Sequence, residues 1–321
     1  METSNRIIDT NGITMHVTEA GQGPLVILCH GFPELGYSWR HQLTALAEAG
    51  YHAVAPDQRG YGKTECPESI ESYTIFDLVG DIVGLVHALG EDKAVIVGHD
   101  WGAPVAWNCA LLRPDIFHAL ILLSVPYPPR RWGGISPIEA MKKMAGDLNF
   151  YIVYFQEPGK VEKELEADVR ESMLRTFYSL SGDVPPEDRW EFVFGKEQRF
   201  IDTVSMPAAL PDWLTEKDID VFTEAFERTG FRGGVNWYRN LDRNWELTPF
   251  LSGARIHQPS LFIAGELDGV IVFSRKAFDR LEQSMPNLKE KVLIPGGGHW
   301  IQQERPQAVN DRMIRFLKDI Q

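Results

Sequence analysis

The chain has 321 residues, 44% of them hydrophobic and 24% charged, and a formal net charge of −13. This size and balance suit one large α/β domain with an insertion, or two modest domains. The acidic balance argues against a nucleic-acid partner, whose binding is dominated by cationic contacts to phosphate, and no apolar run approaches the ~20 residues of a membrane-spanning helix, so no membrane partner is expected.

Residues 1–11 are polar and lack the apolar stretch of a signal peptide. The cysteines, Cys29, Cys66 and Cys109, are odd in number and show no C-x-x-C spacing, which fits a reducing cytoplasm and no structural disulfide. The first half then alternates two kinds of segment. Residues 13–18 and 25–29 read as strands, 38–49 as a helix with Trp39, Leu43 and Leu46 on one side, and 52–55 as the next strand. Residues 75–89 form the clearest helix, with Leu78, Val79, Ile82, Val83, Leu85, Val86 and Leu89 at helical spacing. A strand at 94–97, a helix at 103–112 and a strand at 120–123 follow. Such alternation predicts a parallel sheet covered on both faces.

The pattern breaks at Pro126-Tyr127-Pro128-Pro129. To about residue 244 the chain is largely helical and rich in aromatics, with helices expected at 160–174 and 217–228. Alternation resumes with a strand at 260–264, a helix at 273–282, a strand at 292–294 and a final helix at 307–317. The expected organisation is a core of residues 1–128 and 245–321, interrupted by a helical cap of residues 129–244.

Between the 94–97 strand and the 103–112 helix stands Gly98-His99-Asp100-Trp101-Gly102. Strand, tight glycine-flanked turn and helix make the setting of a nucleophile elbow. The usual nucleophile there is Ser; here it is Asp100. A Ser that attacks saturated carbon makes an ether, which an activated water does not easily cleave. An Asp makes an ester, which water cleaves at the carbonyl. Asp100 therefore points to substrates opened at sp3 carbon, such as epoxides or alkyl halides.

Such a nucleophile needs a base, and the base an orienting acid. In the chain order nucleophile, acid, histidine, Asp268 follows the 260–264 strand and His299 follows the 292–294 strand; Glu266 is a rival acid on the same loop. The oxyanion hole is expected from the backbone N–H groups of Trp101, after the nucleophile, and of Phe32 in His30-Gly31-Phe32-Pro33. Pro33 would fix that turn, with a trans bond the commoner form and cis an option. His30 and His99 read as structural hydrogen-bonders.

These motifs resemble the soluble epoxide hydrolases of the α/β-hydrolase fold over nearly the whole chain. His30-Gly31-Phe32-Pro33-Glu34 is similar to that family's oxyanion loop, and Gly98–Gly102 to its elbow. Tyr151, in Phe150-Tyr151-Ile152-Val153-Tyr154-Phe155-Gln156-Glu157-Pro158-Gly159, matches the first of two oxirane-binding tyrosines, and Tyr238, in Asn236-Trp237-Tyr238-Arg239-Asn240, matches the second. Tyr154 is the nearby alternative to Tyr151. The resemblance implies an α/β-hydrolase fold, a mostly parallel sheet flanked by helices with an inserted helical cap.

It also implies an apolar epoxide and water as substrates, a vicinal diol as product, and neither metal nor organic cofactor. A phenol suits the developing alkoxide as a neutral donor, and as a general acid where its pKa is lowered. Phe155, Trp237 and Trp300 are expected to line the pocket with Phe32 and Trp101, and a monomer or homodimer is expected. The elbow and oxyanion loop are shared with haloalkane dehalogenases, the nearest alternative, although Tyr238 has no task there. A ligand receptor that has lost catalysis on the same scaffold is the alternative from another class.

Overall fold

The computed structural model describes residues 2–131 and 133–320. In chain order the strands are β1 (Ser4–Thr10), β2 (Ile13–Ala20), β3 (Leu25–Cys29), β4 (His52–Pro56), β5 (Ala94–His99), β6 (Phe117–Leu123), β7 (Asn149–Phe150), β8 (Val193–Phe194), β9 (Ser260–Gly265) and β10 (Leu288–Ile294). The main sheet runs β1-β2-β4-β3-β5-β6-β9-β10. Its first two pairings are antiparallel and the rest parallel.

Both faces are covered, so the central strands are apolar on both sides. In β3, Leu25, Ile27 and Cys29 face the helices Ile75–Ala88 and Gly102–Leu112. Val26 and Leu28 face the opposite way, towards the helices Arg40–Glu48 and Pro306–Asp319. The sheet extends beyond the sequence expectation by β1, most of whose residues are exposed, so it carries little hydrophobic signal. Its turn is Asn11-Gly12 with φ 46° and 79°, the Asn-Gly hairpin chemistry that favours two left-handed residues.

Between β6 and β9 the chain forms the helices Pro137–Ala145, Tyr151–Tyr154, Lys160–Leu165, Val169–Ser179, Glu216–Thr229, Arg232–Arg239 and Leu241–Leu247, with β7 and β8 paired as a short ribbon. The helix expected at 160–174 is two helices. Asp168 is extended and its side chain accepts from Glu171 N at 2.9 Å, starting the second. The helix expected at 273–282 is likewise broken, into Gly269–Phe273, Arg275–Asp279 and Leu281–Ser284. The Phe32–Pro33 bond is cis, against the commoner trans form.

The parallel strands point their carboxyl ends one way. Phe32 follows β3, Asp100 follows β5, Asp268 follows β9 and His299 follows β10, so the topology alone gathers them at one rim of the sheet.

Candidate active site

Asp100 adopts φ 48°, a left-handed conformation that costs a non-glycine residue about 1–3 kcal/mol. Its neighbours make this turn possible. A Cβ on Gly102 would lie 2.1 Å from Cys29 O, and one on Gly31 would lie 2.3 Å from Asp100 Oδ1. Only glycine lets β3, the elbow and the oxyanion loop approach this closely. The approach brings Phe32 N to 2.8 Å from Asp100 Oδ1, to which it donates.

The other carboxylate oxygen faces His299, whose Nε2 lies 3.5 Å from Asp100 Oδ2. The Nδ1 of the same ring lies 3.2 and 3.3 Å from the two oxygens of Asp268. Asp268 is fully buried and also accepts from Val270 N at 2.9 Å, so its carboxylate is fixed at the start of the following helix. Glu266 is exposed on the same loop.

Across the cavity stand Tyr151 and Tyr238, with ring centroids 6.0 Å apart. Asp100, His299 and both tyrosines line one cavity, walled otherwise by Phe32, Pro33, Phe155, Thr176, Leu180, Trp190, Phe192, Phe200 and Val270. Tyr154 is absent from that wall, and its hydroxyl donates to Glu164.

The model of the α/β hydrolase fold family matches residues 24–306. Epoxide hydrolase A of Mycobacterium tuberculosis is 47% identical over 99% of this chain and 98% of its own length. Epoxide hydrolase 1 of Siraitia grosvenorii is 44% identical over 97% of each. An epoxide hydrolase from an endophytic Streptomyces superposes with a TM-score of 0.96 at 46% identity, covering 99% of this chain and 96% of that one. This chain belongs to the epoxide hydrolases of the α/β-hydrolase fold.

In this epoxide hydrolase the charges around Asp100 set the state of its partners. Burial works against a charged His299, but Asp268 and then Asp100 outweigh it and hold the imidazole well above its ordinary range. Burial pushes both phenols well above the usual value, reinforced at Tyr151 by the Asp100 charge and at Tyr238 by Tyr151 and then Asp100. The resting phenols are therefore neutral donors. The lowered pKa that sequence reasoning attached to a general-acid role is not the resting state.

Beneath the site lies a buried polar layer. His30 donates from Nδ1 to Gly31 O at 2.8 Å and accepts at Nε2 from Gln58 N at 3.0 Å, which fixes a neutral tautomer and agrees with burial lowering its pKa. His99 places Nδ1 2.6 Å from Glu34 Oε2 and Nε2 2.8 Å from His299 O. Both histidines thus hold loops rather than touch the cavity. Glu34, part of the oxyanion-loop motif, is the unforeseen member. Burial opposes its charge, yet His99 holds it down at about 2, and it accepts from Gly31 N at 2.9 Å, bracing the oxyanion loop.

Three expected pocket residues, Trp237, Trp300 and Trp101, are outside the cavity wall. Trp237 spends its indole N–H on Arg59 O at 3.1 Å, and Trp300 on Phe177 O at 2.9 Å. Both are almost wholly buried, and neither is in the cavity wall. A buried indole must satisfy its N–H, and here the partner carbonyls dictate where each ring goes. Trp101 packs edge-on against Tyr238, centroids 5.0 Å apart, with its indole bearing on the hydroxyl. Phe155 and Phe32 do line the cavity. Thr176, Leu180, Trp190, Phe192, Phe200 and Val270 were not anticipated. They come from four separate stretches of chain, and no local pattern marks them.

Proposed function

We propose that the chain converts apolar epoxides to vicinal diols in two steps. Asp100 attacks an epoxide carbon while Tyr151 and Tyr238 donate to the oxygen from the other side; the C–O bond breaks and an alkyl ester of Asp100 forms. His299, oriented by Asp268, then takes a proton from a water that attacks the ester carbonyl. The N–H groups of Phe32 and Trp101 hold the oxyanion, and collapse of the tetrahedral intermediate releases the diol.

One observation carries this reading: a carboxylate and a pair of phenols face each other across one cavity. A nucleophile at carbon and donors at oxygen are what ring opening demands. The walls other than the four reacting side chains are apolar apart from Thr176, which supports aryl or alkyl epoxides over polar ones. Every step uses side chains, main-chain N–H groups and water.

The insertion of residues 129–244 acts as a cap that carries both tyrosines, over a core of residues 1–128 and 245–321 that carries the nucleophile, base and acid. No helix of the described residues is long and apolar enough to cross a membrane. We read the protein as a cytoplasmic monomer or homodimer that needs no membrane or nucleic-acid partner. The cytoplasmic reading rests on its unpaired, irregularly spaced cysteines.

Purified protein mixed with styrene oxide should yield the phenyl diol and release no chloride from 1-chlorohexane. Chloride release without diol formation would make a haloalkane dehalogenase. Tight ligand binding without either product would make a receptor.

A further inference from the structure

Glu304 is a buried carboxylate, 4% exposed, that touches neither the cavity nor any triad side chain. Its hydrogen bonds enclose the catalytic histidine in sequence. Oε2 accepts from Gly298 N and Oε1 from Trp300 N, each at 2.9 Å. The residues immediately before and after His299 are thus tied to one carboxylate.

The same carboxylate reaches the insertion. Its Oε2 also accepts from Gly182 N at 2.9 Å, with Ser181 Oγ at 3.5 Å. The amide of His299 itself donates to Leu180 O at 2.9 Å. Residues 180–182 and 298–300 are therefore laced together around Glu304. Glycines permit the approach: a Cβ on Gly298 would fall 2.1 Å from Gly182 N, and one on Gly182 would fall 2.7 Å from Gly298 N. Arg305 closes the loop from the other side, donating from Nη2 to Gly296 O at 2.6 Å.

Burying a carboxylate is costly unless its lone pairs are filled, and three main-chain donors fill them here. Burial still raises the Glu304 carboxyl to about 7, with the three main-chain donors pulling the other way. What its two oxygens add is direction, because they fix the two peptide units that flank His299. We propose that Glu304 is a positioning residue for His299. It holds the imidazole on the line from Asp268 to Asp100 and latches the turn at 180–182, which follows the Val169–Ser179 helix, to the loop that carries the base.

This inference rests on the proposed two-step reaction and predicts a separation of its steps. Ring opening depends on Asp100 and the tyrosines, whereas ester hydrolysis depends on where His299 holds its water. In Glu304→Gln the side chain keeps its size, but one oxygen becomes a donor that faces backbone N–H groups. Rapid mixing with styrene oxide, acid quench and intact-protein mass spectrometry read both steps. Expected is ester formation within about threefold of the parent and ester hydrolysis slowed at least about tenfold, as small misplacements of a catalytic group can do. An adduct equal in mass to the substrate then accumulates.

A merely structural role would lower the melting temperature with both steps intact in the folded protein. Steps slowed in equal proportion, or not at all, overturn the proposal. Gly182→Ala perturbs the same junction from the cap side and is expected to accumulate the same adduct; it carries the test if Glu304→Gln does not fold. His299→Ala serves as reference. An adduct in His299→Ala but in neither of the other variants overturns this inference alone. No adduct in any variant overturns the two-step reading and this inference with it.

Discussion

His299 Nε2 lies 3.5 Å from Asp100 Oδ2, a charge contact longer than an ordinary hydrogen bond. At this distance Asp100 supports the protonated imidazole without fixing it. When Asp100 becomes an ester that support disappears, and His299 moves back towards the neutral form that a base requires. In the proposed reaction, loss of the nucleophile's own charge would thus switch the base on. Replacing Asp100 with Asn removes the same charge and should lower the His299 pKa. A ¹⁵N NMR titration of the imidazole reads it directly, and an unchanged or higher value would contradict the switch.

Loss of the base should stop the second step and spare the first. In His299→Ala, ester hydrolysis is expected to fall by about 10²–10⁴, the usual worth of a positioned general base. The protein should gain the mass of one substrate molecule. Unmodified protein after mixing with styrene oxide would show that His299 is not needed for that step.

In the proposed reaction the tyrosines belong to the first step. Tyr151→Phe and Tyr238→Phe are each expected to slow ester formation by about 10²–10³, the range for removing one donor to a developing oxyanion, and the double variant should nearly stop it. Because burial and the Asp100 charge raise both phenols, ester formation should show no decline centred near pH ~10, the ordinary phenol value. A decline there, lost in the Phe variants, would mean that the phenols are not shielded as described.

How far these roles were legible depends on the kind of residue. The elbow, the acid and the histidine each follow a strand, so a parallel sheet brings them together whatever the loops do. The tyrosines were found through short local motifs. Trp237 and Trp300 were misread as pocket residues because sequence shows an aromatic near a catalytic group but not which carbonyl receives its N–H. Phe192, Leu180 and Val270 reach the cavity through tertiary packing of distant segments. The break at Asp168 was visible only as a polar residue within an amphipathic stretch, and its side chain chose to cap the next helix.

The placement of Tyr238 depends on a buried ion pair. Arg239 donates from Nη1 to Glu162 Oε1 at 2.6 Å and from Nη2 to Oε2 at 3.0 Å, tying the Arg232–Arg239 helix to Lys160–Leu165. Both side chains are over nine-tenths buried. Arg239→Ala leaves Glu162 buried without its partner and should cost about 3–5 kcal/mol in chemical denaturation. A loss under about 1 kcal/mol, typical of exposed pairs, would show that the pair is open to water.

The oxyanion loop makes a steric prediction. A methyl group on Gly31 would sit 2.3 Å from Asp100 Oδ1, so Gly31→Ala must displace either the nucleophile or the loop. Ester formation should fall by at least about 10², since misplacement of a reacting group is heavily penalised, while circular dichroism stays that of the parent. Normal ester formation would show that the loop yields without affecting Asp100.

The central claim is that water attacks the enzyme ester and never the epoxide. A single turnover in ¹⁸O-water, with enzyme in excess over styrene oxide, separates the two by mass spectrometry of the product and of the peptide that contains Asp100. The account predicts unlabelled diol and one ¹⁸O in the Asp100 carboxylate. Label in the diol with an unlabelled peptide would contradict it.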